Sequence, residues 1–150
     1  MQKLIECVPN FSEGRDLNVI KQITAAIEAV EGISLLDVDP GASTNRTVVT
    51  FVGAPDAAVE AAFRGIQKAA QLIDMCKHKG AHPRMGATDV CPFIPVSTVS
   101  WEEVIACANQ LGKRVGEELR IAVYLYEKAA RDPSRPKPSV LRSGTYRRFC

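Results

Sequence analysis

The sequence has little histidine, little tryptophan and no long apolar run. Two histidines and one tryptophan occur in 150 residues, and no two of the five cysteines are spaced as Cys-x-x-Cys, which argues against a structural zinc site. The net charge of +2 gives no drive toward nucleic acid or an anionic membrane. No apolar run is long enough to span a membrane. Charged residues near the N-terminus interrupt any apolar stretch of the kind found in a signal peptide. We therefore expect a cytoplasmic protein with reduced thiols and no metal.

The composition is that of a globular protein that builds its own core. Hydrophobic residues make up 46% and charged residues 24% of the chain, which is ordinary for a domain of this length. The last segment differs, because residues 132–150 carry three prolines, five basic residues and one acid. We expect one domain over residues 1–131, followed by a basic, proline-rich tail that is disordered or loosely packed.

Hydrophobic periodicity predicts the order of the elements. Strands are expected in KLIECVPNF, ISLLDVD, TVVTFVG and IAVYLY. The extended segment TDVCPFIPV contains two prolines, so it is expected at a sheet edge or as irregular structure. Helical spacing predicts helices over Asp16–Val30, from Pro55 to before Gly80, and from the cap residue Ser100 to Leu119, with a short one in EKAAR.

The predicted order is β-α-β-β-α-β followed by an α-β unit. Two strands joined by a short loop pair antiparallel, which favours an α+β fold with helices packed on one face of a mainly antiparallel sheet. We predict the ferredoxin-like, split βαβ arrangement with an appended α-β unit. An open doubly wound sheet is the alternative, but it would require a helix at each crossover.

Polar residues cluster at four places beside the predicted strands. They are Asn10, Ser12 and Glu13; Asp37 and Asp39; Ser43–Arg46; and His78, His82 and Arg84. Gly80 and Pro83 interrupt any helix that would bring the two histidines together on zinc, so an acid–base role for His82 is the sharper hypothesis. The alternative is that His82 is an ordinary histidine on a surface loop without a catalytic role.

The aspartates and the asparagines allow two interpretations each. Asp37 and Asp39 share one face of their strand, and Arg46 across the hairpin would either form a fold-stabilising ion pair with them or complete a polar pocket wall. Asn10 and Asn45 are turn residues by default and ligand donors by hypothesis. The residues by themselves indicate a possible acid–base site but do not identify its substrate.

Several long motifs, in order, carry a family resemblance. CVPNFSEG, LLDVDPGASTNRTVVTFVG, QLIDMCKHKGAHPRMGATDVCPFIPV and VYLYEKAA resemble the N-terminal subdomain of the formiminotransferase domain, known from formiminotransferase-cyclodeaminase. The resemblance implies ferredoxin-like subdomains and transfer of a formimino group from N-formiminoglutamate to tetrahydrofolate, the co-substrate, without a metal.

The resemblance also implies roles for individual residues. His82 lies in the HPRMG motif and would be the catalytic acid–base, with Asp39 and Arg46 orienting it or the substrate. Substrate-binding roles fall to Asn10, Ser12, Asn45 and Arg84. Ala81 replaces a usual acid, and Glu127-Lys128 replaces a Gly-Glu pair.

The family places its folate site between two subdomains, and the second would begin near the end of this sequence. We therefore expect weak or no turnover from this chain alone, unless a homodimer or a partner supplies the second wall. Two alternatives stay open. One is a non-catalytic folate-binding or protein-interaction module that docks with a full-length formiminotransferase, and the other is a marginally stable product without activity.

Overall fold

The computed structural model describes residues 2–77, 79, 86–123 and 125. The strands are β1 (Leu4–Cys7), β2 (Asn10–Phe11), β3 (Ser34–Gly41), β4 (Arg46–Gly53), β5 (Thr88–Val90) and β6 (Phe93–Ser97). The helices are α1 (Leu17–Glu28), α2 (Pro55–Leu72) and α3 (Trp101–Arg114), and α3 runs into a π-helical turn, Val115–Leu119.

The strands form one antiparallel sheet, which confirms the α+β class and excludes the doubly wound alternative. The order is β5-β2-β4-β1-β6, and β3 pairs with the other edge of β4. The first predicted strand is divided into β1 and β2 at Val8 and Pro9, and both halves pair with β4. Strands β5 and β6, which come from the segment with Pro92 and Pro95, stand at the ends of this order, as expected for a segment that lacks some N–H donors.

The helices begin where capping chemistry predicts. The Asp16 side chain accepts hydrogen bonds from the first-turn amides of α1, and Pro55 occupies the first turn of α2. Glu103 N donates to Ser100 Oγ over 3.2 Å, which caps α3. Helix α2 ends at Leu72, earlier than predicted, whereas α3 and its π-helical turn together reach Leu119, the predicted end.

The core lies between the sheet and the helices. Alternate residues of the central strands point into it, as the period of two in a strand requires: Ile5, Cys7, Phe11, Val49 and Phe51 are all buried. Helices α1, α2 and α3 supply the rest of one cluster, including Ile23, Ile27, Ala62, Ile66, Val104 and Leu111. None of the helices in the described ranges is both long and apolar enough to cross a membrane.

Two expectations from the sequence meet a different outcome. Strand β3 has a bulge between Leu35 and Asp37, so Leu36 is exposed although it alternates with Asp37 and Asp39 along the strand. Ile121–Val123 lie in no strand, unlike the predicted closing strand. The rest of that strand, the EKAAR helix and the tail lie outside the described residues, apart from Leu125.

Candidate active site

The Arg46 guanidinium is fixed at one end of the sheet. Arg46 begins β4, and its Nε and Nη2 donate to Asn10 Oδ1 over 2.9 and 2.7 Å. Asn10 is itself held, because its Nδ2 donates to Val8 O over 3.0 Å. The predicted ligand donor Asn10 therefore uses its amide to orient an arginine, and only 6% of the residue is exposed.

A buried carboxylate stands beside this arginine. Asp89 lies in β5, its side chain has no exposed surface, and its Oδ2 is 3.9 Å from Arg46 Nη2. Strand β5 is irregular here, since the register between β2 and β5 shifts between Asn10 and Phe11. Burying a carboxylate is costly unless a cation or hydrogen bonds compensate it, so the Arg46–Asp89 pair is the electrostatic centre of the cluster.

Asp39, the acid expected near Arg46, does not pair with it. The β3–β4 register puts Asp39 opposite Val48 and puts Gly41 opposite Arg46. Asp37 and Asp39 are both exposed on β3, as solvated strand acids are. The ion pair considered between the hairpin aspartates and Arg46 is therefore wrong. The carboxylate that Arg46 meets comes from β5.

Asn45 ties two loops together. Its backbone is left-handed, with φ of 51°, a conformation that asparagine tolerates better than most residues. Asn45 Oδ1 accepts from Gly14 N over 2.8 Å, and Nδ2 donates to Lys79 O over 3.0 Å. The side chain thus connects the loop after β2 to the segment after α2.

Ser12 holds the chain where it enters β5. Its Oγ donates to Gly86 O over 2.6 Å and its backbone N donates to Ala87 O over 2.8 Å. Lys79 and Gly86 flank residues 80–85, so Asn45 and Ser12 secure the two ends of that segment. The predicted site residues His82 and Arg84 fall within it and lie outside the described residues, as does His78.

Close packing of the backbone underlies this cluster. A Cβ on Gly14 would stand 2.2 Å from Gly41 O and 2.5 Å from Arg46 N, so only glycine fits. Thr47 Oγ1 donates to Glu13 O beside it. The loop after β2 is therefore pressed against the start of β4, which fixes the backbone that carries Arg46.

Two members of the site were not predicted from the sequence. Asp89 is the single acid of the mainly apolar segment TDVCPFIPV, and that isolation was the available signal. Gly14 gave no signal beyond its place in a turn. Both matter because they meet residues far away in the chain, Arg46 in particular.

The arrangement provides a positioned guanidinium on Arg46 and side-chain anchors at Lys79 and Gly86, on either side of residues 80–85. Arginine presents a planar set of donors suited to carboxylate-bearing molecules. The described ranges contain no group of three or more His, Cys, Asp or Glu side chains that would hold a metal ion. These residues can therefore orient an anionic group next to Arg46.

Comparison with known proteins identifies the family. The model of the formiminotransferase domain, N-terminal subdomain, matches residues 4–150. The formimidoyltransferase-cyclodeaminase of Mus musculus is 58% identical over 146 residues, which are 97% of this chain and 27% of that protein. The glutamate formimidoyltransferase of Thermoplasma acidophilum is 49% identical over 95% of this chain and 47% of its own length. The glutamate formimidoyltransferase of Streptococcus pyogenes serotype M1 is 43% identical over 97% of this chain and 49% of its own length.

The match extends from β1 to the end of the sequence and includes every residue of the polar cluster. The chain spans about a quarter of the Mus musculus relative and about half of the two glutamate formimidoyltransferases. The chain belongs to the family of the N-terminal subdomain of the formiminotransferase domain.

Proposed function

We propose that this chain provides the His82-bearing wall of a formiminotransferase site. The reaction is transfer of a formimino group from N-formiminoglutamate to tetrahydrofolate, the co-substrate. One observation carries the proposal: Asn45 and Ser12 secure the two ends of the segment that holds the HPRMG motif, beside the Arg46 cluster. Anchors on both sides of this segment favour a defined position for a catalytic group within it.

Each residue receives a chemical role in this proposal. His82 accepts the proton from the folate nitrogen that attacks the formimino carbon, and returns a proton to the departing glutamate nitrogen. Arg46, held by Asn10 and Asp89, orients the anionic substrate, and Arg84 adds a second cation. Asp39 faces solvent at the rim and orients the substrate or His82. Ser12 and Asn45 act through the backbone that they secure.

Full activity requires a second wall around the folate. Pterin ligands need burial and matched polar contacts on both sides, and this chain spans about half of the glutamate formimidoyltransferases that it resembles. A further segment, a second copy in a homodimer or a full-length formiminotransferase would supply that wall. Turnover by this chain alone is expected to be weak or absent.

The test compares the two histidines. The purified chain, His82→Ala and His78→Ala are titrated with tetrahydrofolate by calorimetry and then assayed for release of glutamate from N-formiminoglutamate. We expect wild type to bind folate and turn over slowly, and His82→Ala to lose about 100-fold or more in rate. His78→Ala is the matched control, with a rate within about threefold of wild type.

Equal rates in wild type and His82→Ala would exclude His82 as the acid–base. Folate binding without turnover in any of the three proteins would favour a binding role. Neither binding nor turnover, alone or with a full-length formiminotransferase added, would contradict the proposal as a whole.

A non-catalytic docking function is the second candidate. The apolar residues Leu36, Ile94 and Val96 are 59%, 39% and 55% exposed, and the alternation of β6 puts Ile94 and Val96 on the sheet face opposite the core. A full-length formiminotransferase is the proposed partner. Co-elution from a size-exclusion column should be lost in Val96→Asp and kept in Leu17→Asp, whose exposed apolar residue lies on α1 instead.

We propose that the fold is ferredoxin-like. The segments β1–β2 and β5–β6 can each be counted as one interrupted strand. The strand β5–β6 then pairs with β1–β2, β1–β2 pairs with β4, and β4 pairs with β3, always antiparallel. That order, with α1 and α2 as the connections, agrees with a split βαβ unit. We also propose a cytoplasmic location, supported by thiols rather than disulfides at Cys7, Cys91 and Cys107.

A further inference from the structure

The sheet has a break that crosses two neighbouring strands at one level. Val8 and Pro9 separate β1 from β2, and Cys91 and Pro92 separate β5 from β6. One hydrogen bond, from Val8 N to Pro92 O over 3.2 Å, crosses the break. Beside it, Cys7 Sγ lies 3.6 Å from Cys91 Sγ, although 84 positions separate the two residues in the sequence.

Strand pairing fixes both backbones around these thiols. Cys7 pairs with Phe93 on one side of the break, and Asn10 pairs with Val90 on the other. A disulfide requires sulfurs about 2.05 Å apart, so bond formation needs an approach of about 1.5 Å. Rotation of side chains that already face each other meets much of that need, without any change in the order of strands.

We propose that Cys7 and Cys91 are a site of reversible oxidation, at which a low-molecular-weight disulfide such as glutathione disulfide closes a Cys7–Cys91 crosslink. Cys91 is half-buried and Cys7 is fully buried, so the reagent meets Cys91 first. An isolated surface cysteine would form one mixed disulfide with glutathione. In a facing pair, the second cysteine converts that mixed disulfide into a disulfide within the protein.

The reaction balances in two exchange steps. The Cys91 thiolate attacks one sulfur of glutathione disulfide, which forms a mixed disulfide and releases one glutathione thiolate. The Cys7 sulfur then attacks Cys91 Sγ and expels the second glutathione. The two protein thiols lose two electrons to the reagent, and their two protons end on two glutathione thiols. Excess dithiol reverses both steps.

Burial makes Cys7 the slower partner. Loss of solvation, and then the hydrogen bond and charge interaction with Cys91, raise the pKa of the Cys7 thiol well above its ordinary value. Cys7 therefore does not react with the reagent by itself. It reacts only with a disulfide formed next to it, which makes the crosslink specific to the pair.

A closed crosslink joins the two halves of the broken sheet. The β2–β5 half carries Asn10 and Asp89, and the β1–β6 half carries the exposed Ile94 and Val96. The bond also restricts the unfolded chain over a long loop. We therefore expect oxidation to raise the thermal midpoint of the protein by roughly 5 °C or more.

The test uses the full chain with Cys76→Ser and Cys150→Ser, so that Cys7, Cys91 and the buried Cys107 remain. The folded protein is treated with glutathione disulfide, alkylated, digested and mapped by mass spectrometry. We expect one crosslinked peptide pair containing Cys7 and Cys91, reversed by dithiothreitol, while Cys107 stays a thiol. Cys107 is a matched control, because burial raises its pKa as well.

Single variants separate the two steps. In Cys7→Ser we expect one stable glutathione on Cys91, and in Cys91→Ser we expect Cys7 to stay unmodified in the folded protein. The inference is overturned if the protein with both thiols keeps glutathione on Cys91 while Cys7 is alkylated after unfolding. It is also overturned if the crosslink forms only in denaturant. Since the readout is a covalent bond, it is independent of folate binding and turnover.

Discussion

Two arginines in this protein meet acidic side chains in opposite ways. Arg114, at the end of α3, reaches Glu60 Oε2 over 2.6 Å and Glu118 Oε2 over 3.1 Å, and it stacks 4.0 Å above the Phe63 ring. Arg46 Nε and Nη2 donate short hydrogen bonds to the amide oxygen of Asn10, and Nη2 lies 3.9 Å from Asp89 Oδ2.

The two ion pairs differ in the solvent exposure of their carboxylates. Glu60 is 34% exposed at the side chain, whereas the Asp89 side chain is completely buried. The surface pair connects α2 to α3 and costs little, because water still solvates both charges. Buried charges are weak net stabilisers, and removal of one partner is costly. Removal of one partner should therefore cost more stability at the Arg46–Asp89 pair than at the Arg114–Glu60 pair.

The largest expected effect comes from neutralising Asp89. Asp89→Asn keeps the size of the side chain but removes the negative charge beside the Arg46 guanidinium. We expect the free energy of unfolding to fall by about 3 kcal/mol, measured by urea denaturation. In the double variant with Arg46→Met the loss should be less than the sum of the two single losses. A fall under about 0.5 kcal/mol would mean that the buried pair behaves like the surface pair.

The backbone beneath the two arginines gives the next comparison. Gly14→Ala would force a Cβ against Gly41 O and Arg46 N, and we expect it to destabilise the fold by about 2 kcal/mol. Gly116→Ala, in the π-helical turn next to Arg114, meets nothing within 4 Å. It should be neutral or stabilise by about 0.5 kcal/mol. Similar thermal midpoints for the two variants would contradict the close approach at Gly14.

Glu60→Gln should give the smallest effect, with a defined pH dependence. Hydrogen bonds from Arg114 first, and then from Arg64, lower the pKa of Glu60. A lowered folded-state pKa stabilises the protein above the unfolded pKa, and this stabilisation disappears as the pH falls through the folded value. We expect a loss of about 0.5 kcal/mol at neutral pH that disappears once the pH has fallen below the folded-state pKa. A difference that stays constant from neutral to acidic pH would exclude this charge effect.

Much of the secondary structure followed from local sequence. Ser100 marked the start of α3, Pro55 the start of α2, and the two prolines of β6 and its approach marked a sheet edge. Capping, proline geometry and periodicity act over a few residues, so one short window contains all the information. Asn45, Ser12 and Asn10 were also found this way, as polar residues where strands end.

Their partners could not be predicted in that way. Asp39 was the nearest acid to Arg46 along the hairpin, but the structure places Asp89, from another strand, beside Arg46. The break at Pro9 and the bulge beside Leu36 likewise depend on the strands that lie alongside. Strand register is a cooperative choice of the whole sheet, so a single segment does not encode it.

By itself, the sequence determined the α+β class, the helix starts, the family and the motif that carries His82, because each depends on neighbours along the chain. Only the tertiary structure decided that Arg46 meets Asp89, that Asn45 and Ser12 secure the two ends of residues 80–85, and that Cys7 faces Cys91. Those contacts join residues from 34 to 84 positions apart. They arise from the order of strands in the sheet, which minimises exposed core and unpaired backbone together.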